Sequence, residues 1–352
     1  SAYGSWVATE VETTFGVNLN DNGTVTYMHT GAGAQSLSIP SFTPKVATTT
    51  IKETGAPGGT DIAHLILDDG RGNIVDIQAL SDMAHKHGVP VIVDNTVATP
   101  VLCRPFEQGA DIVIHSLTKY IGGHGTSIGG IIIDGGNFDW TAKPAQQPNF
   151  NQPDGSYHGA VWGTLVPEAL GAPIAYIIRA RVVLLRDLGA SLSPTNAFQL
   201  IQGLETLPLR FREHQANAAK VTNFLENHDA VSRVIHPSLF EGAKKALADK
   251  YLAKGHGALV GIELTGGIDA GRSFIDALKL IYHVANIGDA RSLAIHPAST
   301  THSQLSAADQ LAAGVTPGYV RLSVGIEHID DIIADISQAL DTASAISPRT
   351  AA

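Results

Sequence analysis

Three short apolar runs, separated by turn residues and helix-length stretches, constrain this chain more than any other feature. They cover residues 89–93, 111–115 and 128–133. Upstream of the first, Asp76 can cap a helix through residues 77–85, and Gly88 can end it. Uninterrupted apolar strands alternating with helices imply a parallel sheet buried on both faces. In open sheets of that kind, ligands bind beyond the carboxyl ends of the strands. Asp94 and residues 116–119 both fall at such ends.

The second half reads differently. Residues 141–160 are rich in Pro, Gln, Asn and Gly and form a predicted loop. Residues 166–225 are predicted largely helical, strands are predicted at 231–235, 259–264 and 319–324, and a helix at 330–343 closes the pattern. This reads as a small sheet covered by helices. The expected division is residues 1–212 as a large domain and 213–352 as a small α+β domain. Two domains also suit 352 residues. The first 69 residues are rich in Thr, Gly and Ala with weak periodicity. Among them only residues 47–50, with three consecutive threonines, favour an extended strand.

Charge and composition exclude several functions. The 33 acidic residues outnumber 23 basic ones, and no Lys/Arg cluster marks a nucleic-acid surface. No apolar run reaches the roughly 20 residues of a membrane span, and no signal peptide opens the sequence. The single cysteine, Cys103, forms no internal disulfide and reads as a small buried residue, which agrees with a cytoplasmic setting. His283, His296 and His302 lack the cysteine or carboxylate that would complete a metal site, so no metal is expected.

The chemistry concentrates in His115-Ser116-Leu117-Thr118-Lys119-Tyr120-Ile121-Gly122-Gly123-His124. A lysine just after a strand, flanked by hydroxyl residues and followed by glycines, suits a Schiff-base site. Its amine must be neutral to attack an aldehyde, and burial drives it that way. Ser116 and Thr118 can donate to a phosphate. Upstream, Asp94 ends a strand with a carboxylate that could pair with a protonated pyridine nitrogen. Read alone, Asp94 is equally a turn residue, and Lys119 a solvated surface lysine.

Residues 116–124, together with Val93-Asp94-Asn95-Thr96-Val97-Ala98-Thr99-Pro100 at the matching spacing, resemble the cofactor-lysine segments of the pyridoxal-phosphate (PLP) enzymes of Cys/Met metabolism. The resemblance runs from about Gly72 to the C-terminus. It implies the fold-type-I architecture of PLP-dependent transferases: an α/β large domain with a mostly parallel sheet, and a smaller C-terminal domain. It also implies roles by position. Lys119 would carry PLP and shuttle protons, Asp94 would pair with the pyridine nitrogen, and Ser116 and Thr118 would hold the phosphate. Arg321 would clamp the substrate α-carboxylate, with Ser292 near it. Tyr3, in Tyr3-Gly4-Ser5, would stack on the PLP ring.

Within the family, residues 154–159, 192–198 and 286–302 resemble the O-acetylhomoserine sulfhydrylases. The implied reaction joins O-acetylhomoserine and sulfide in a homo-oligomer, a tetramer by resemblance. The alternatives are cystathionine γ-synthase or γ-lyase activity, O-succinylhomoserine sulfhydrylase activity, or a catalytically silent homologue. The family's upstream Tyr-x-Arg element and phosphate-binding glycine turn have no counterpart in residues 1–69, and Asp69-Gly70 stands where the family has Asn-Pro. The expectation is a chain that starts inside the family's usual span.

Overall fold

The computed structural model describes residues 74–346 and the backbone of four short strands before them. Those strands are β1 (Val17–Asn20), β2 (Thr24–His29), β3 (Gly33–Ser38) and β4 (Thr48–Ile51). They pair antiparallel, β1 with β4 and β2 with β3. The threonine run thus lies in a strand, as its β-branching predicts.

From residue 74 the order follows the sequence pattern closely. Helix α1 (Ile77–Lys86) begins where the Asp76 carboxylate accepts the Ala79 amide at 3.1 Å. It ends before Gly88, whose positive φ of 69° turns the chain towards the sheet. Strand β5 (Ile92–Asp94) runs parallel to β6 (Ile112–Ser116), with Asp94 opposite Ile114. A buried carboxylate sets this pair. Asp111 accepts the Val91 amide at 2.7 Å and lies 2.8 Å from His85 Nε2, which ties α1 to both strands.

The third apolar run departs from the parallel, doubly buried arrangement that its apolarity suggests. Strand β7 (Gly130–Asp134) is antiparallel to β6, and its Ile131, Ile132 and Ile133 are exposed. The 13 residues between the end of β6 and the start of β7 form the lysine turn and bends with no helix to cross over the sheet, and the chain doubles back. Unbroken apolarity therefore signals a strand without fixing its direction.

A second sheet has five strands in the order β10-β11-β12-β9-β8. These are β8 (Val231–Ile235), β9 (Leu259–Leu264), β10 (Tyr282–His283), β11 (Leu293–Ile295) and β12 (Tyr319–Ser323). Only the β10–β11 pair is parallel. Helix α2 (Pro194–Glu226) leads into this sheet, and α3 (Gly242–Tyr251), α4 (Gly267–Ala277) and α5 (Ile329–Ile346) surround it.

Two apolar cores result. The larger joins Tyr120 and Ile121 of the lysine turn, Leu207 and Phe211 of α2, Val260 and Ile262 of β9, and Ile336 and Leu340 of α5. The smaller packs Ile112 of β6 against Trp140, Phe150 and Trp162. The lysine turn is therefore bolted into the same core as the second sheet. Cys103 is buried and in no disulfide. Among the described residues no helix is long and apolar enough to cross a membrane.

Candidate active site

Lys119 sits three residues beyond β6, in a turn closed by main-chain bonds. Lys119 N donates to Ser116 O at 3.2 Å, Gly122 N to Leu117 O at 2.8 Å and Gly123 N to Lys119 O at 2.7 Å. Burial, and then the nearby positive charge of Arg321, push the Lys119 amine below its ordinary range. Both effects favour the neutral nucleophile that carbonyl chemistry requires. Its Nζ donates to Asn286 Oδ1.

Asp94 reaches the same end of the sheet. Its carboxylate is exposed and accepts the Thr96 amide at 3.0 Å, a turn within the segment. Asn95 N extends the ladder to Ile114 O at 2.9 Å. One residue further, Thr96 Oγ1 accepts from Ser116 N at 2.7 Å. The aspartate segment and the lysine segment are thus stitched side by side, as their placement at strand ends implies. Between them His115 is buried, its Nδ1 has no partner, and burial lowers its pKa despite the opposing charge of Asp94. The Thr118 hydroxyl accepts from Gly129 N at 3.1 Å.

The third element is β12. Arg321 lies on it, opposite Gly261 of β9 and Ile295 of β11. Its guanidinium makes a long 3.4 Å bond to the Asn286 main-chain oxygen. Asn286 therefore touches both Lys119, through its side chain, and Arg321, through its backbone. In the sequence Asn286 stands only as the first residue of the stretch 286–302. Its polar side chain in a loop without periodicity gives no signal that it meets a lysine 167 positions away.

Ser292 is buried and already occupied. Its hydroxyl donates to Glu327 Oε2 at 2.9 Å and accepts from Gly325 N at 2.8 Å. It closes the loop before β11 onto the segment after β12. His296 is likewise engaged, 2.8 Å from Ser299 Oγ and 2.7 Å from Pro317 O. Tyr3 lies outside the described residues.

Residues 69–341 match the model of the Cys/Met metabolism PLP-dependent enzymes. The chain belongs to that family. Among curated relatives it is 54% identical over 271 residues to an O-acetyl-L-homoserine sulfhydrylase of Leptospira meyeri, covering 76% of this chain and 61% of the relative. It is 48% identical over 269 residues to another of that name from Corynebacterium glutamicum, covering 76% and 60%. The chain thus spans about three fifths of the length of these relatives.

Among solved structures, it superimposes on a putative O-acetylhomoserine (thiol)-lyase of Campylobacter jejuni with TM-score 0.70 and 43% identity, covering 76% and 62%. That structure contains a pyridoxyl-lysine monophosphate. A cystathionine gamma synthase of Xanthomonas oryzae aligns with TM-score 0.60 and 35% identity, covering 78% and 60%.

The family's cofactor is PLP, and the donor set described above fits it. A half-buried amine biased towards neutrality, an exposed carboxylate and the Thr118 hydroxyl just past the strand end suit, in turn, an aldehyde, a pyridine nitrogen and a phosphate.

Proposed function

We propose that the protein catalyses a γ-replacement in which O-acetyl-L-homoserine and hydrogen sulfide give L-homocysteine and acetate, a step of methionine biosynthesis. The convergence of Lys119 and Arg321 on Asn286 carries this reading, because it sets an amine biased towards neutrality beside a cation suited to an α-carboxylate. Bound PLP supplies the electron sink that stabilises negative charge at the substrate's Cα and Cβ. Lys119 would carry the cofactor, and its amine would move the protons. Asp94 would pair with the pyridine nitrogen, Ser116 and Thr118 would hold the phosphate, and, by family resemblance, Tyr3 would stack on the ring. Arg321 would clamp the α-carboxylate with a planar fork, and Asn286 would orient the Lys119 amine. Ser292 serves that pocket indirectly, through the Glu327 clasp that shapes the loop.

The division near residue 212 then becomes a change of packing partner along one helix. The first half of α2 faces the lysine turn, and its second half lies on the five-stranded sheet. The reading also takes the protein as a cytoplasmic homotetramer, with sequence composition and family resemblance as its support.

Names borne by relatives favour sulfide as the nucleophile, and the lower identity to a cystathionine gamma synthase agrees. The test has two arms. Borohydride reduction of the holoenzyme should fix the pyridoxyl group on Lys119, and Lys119→Ala should abolish that label. Supplied with sulfide, the enzyme should release homocysteine from the O-acetyl ester at least about tenfold faster than from the O-succinyl ester. Label on another lysine rejects the site. Preference for the succinyl ester, or cystathionine made efficiently from cysteine, rejects the substrate assignment.

A further inference from the structure

Helix α2 carries a polar stripe inside a buried face. Arg210, His214 and Asn217 are 7%, 0% and 1% exposed, and they recur at intervals of four and three residues, the spacing of one helix face. Arg210 Nη1 donates to Tyr120 O at 2.9 Å and Nη2 to Ile121 O at 3.0 Å. Those carbonyls belong to the two residues that follow Lys119. The same guanidinium donates to Gly203 O at 2.7 Å and Thr206 Oγ1 at 3.1 Å on its own helix. Further along, His214 Nδ1 donates to Val324 O at 2.7 Å, and Asn217 Nδ2 donates to Gly325 O at 3.1 Å and Glu327 O at 2.9 Å. These carbonyls follow Arg321. A single helix therefore grips the turn that carries the amine and the segment that continues the carboxylate clamp.

The chemistry of Arg210 is unusual for a purely structural residue. Among the described residues it makes no direct ion pair: carbonyls and the Thr206 hydroxyl are its partners, Asp289 supplies only a nearby opposite charge, and burial still lowers its pKa, so holding the cation there carries a desolvation penalty. An apolar side chain would fill the same space without that penalty. What the arginine adds is direction, because its planar fork fixes two successive carbonyls at once. Gly203 reinforces the grip. A Cβ there would collide with the carbonyl oxygens of Gly122 and Ile121, so the helix backbone seats directly on the turn.

We propose that Arg210 is a positioning residue for Lys119, and that α2, through Arg210 and Asn217, is the spacer that sets the lysine relative to Arg321. This rests on Lys119 being the cofactor lysine. Arg210 touches neither substrate nor cofactor. It acts by holding the turn that buries the amine.

The test uses the full-length protein. Arg210→Lys replaces the fork with a point charge. In the holoenzyme it should lower kcat by roughly 10–100-fold and leave KM for the amino-acid substrate within about 3-fold, since a displaced lysine affects proton transfer more than binding. PLP should dissociate faster on dialysis. In the cofactor-free protein, acylation of Lys119 mapped by mass spectrometry should require a higher pH, because a loosened turn exposes the amine. Asn217→Ala should give the opposite split, with KM raised about 5–10-fold and kcat within about 3-fold. Gly203→Ala reaches the same turn by a different route and should reproduce the Arg210→Lys pattern.

Wild-type kcat, PLP retention and labelling pH in folded Arg210→Lys and Gly203→Ala would overturn the proposal. So would equal shifts of one parameter in Arg210→Lys and Asn217→Ala, or loss of folding in both turn variants, which would make the contact structural only. If wild-type Lys119 takes no borohydride label, the cofactor assignment fails instead, and the two failures are distinct.

Discussion

His214 shows how a single buried side chain ties the site to pH. Its Nδ1 bonds Val324 O, its Nε2 has no partner, and its ring meets Tyr120 edge-on at 5.3 Å. Burial pushes its pKa down to about 4, and burial does the same to His236. In the unfolded chain both return to an ordinary value of about 6.5. Between those limits the unfolded chain binds protons that the folded chain refuses, so stability falls as pH drops from about 6.5 towards 4. Each histidine contributes up to roughly 1.4 kcal/mol per pH unit within that window. We expect the stability gap between wild type and His214→Gln to narrow by about 1–2 kcal/mol between pH 7 and pH 5 in urea denaturation. Carboxylate titrations occur in both proteins and cancel in the difference. Parallel stability curves would show that His214 accepts a proton in the folded state without penalty.

At the scale of elements, what could be read from the sequence depended on whether the signal was local. Asp76 and Gly88 bracket α1 because capping needs only the residues at a helix end. Strands β5, β6, β8, β9 and β12 fall within a residue or three of the apolar runs that announce them. The antiparallel direction of β7 was hidden, since an apolar run looks the same in either direction. Lys119, Asp94 and Arg321 were legible because their segments resemble a known family, and strand-end placement supported the first two. Asn286 and Arg210 were not, because each earns its place through a partner about 90 or more positions away. Asp111 is intermediate. It opens a predicted strand, yet its contacts with Val91 N and His85 Nε2 are invisible without the fold. Asp111→Ala should destabilise the protein by about 2–4 kcal/mol, since it leaves the half-buried Val91 amide unpaired and frees α1 from the sheet. A loss of unfolding free energy below about 0.5 kcal/mol in urea denaturation would mean that water replaces the carboxylate.

For the whole molecule, the informative surface is apolar. Phe198, Ile201 and Leu204, three residues apart along one side of α2, are 60%, 56% and 48% exposed. Leu192 and Leu200, beside the start of that helix, approach Gly129 just before β7, whose isoleucines are also exposed. Working proteins rarely leave large apolar patches in water, and an apolar strand edge invites pairing. A second subunit covering this region agrees with the homo-oligomer that family resemblance implies. We therefore expect multi-angle light scattering of the full-length holoenzyme to return four times its chain mass. Ile201→Asp should lower that mass, because a charge buried at a subunit contact costs several kcal/mol. The same substitution on a surface open to water would change stability by less than about 0.5 kcal/mol. An active, stable monomer would refute the assembly and assign this surface to covering by the protein's own chain. In that case Ile201→Asp would lower the unfolding midpoint and leave the mass unchanged.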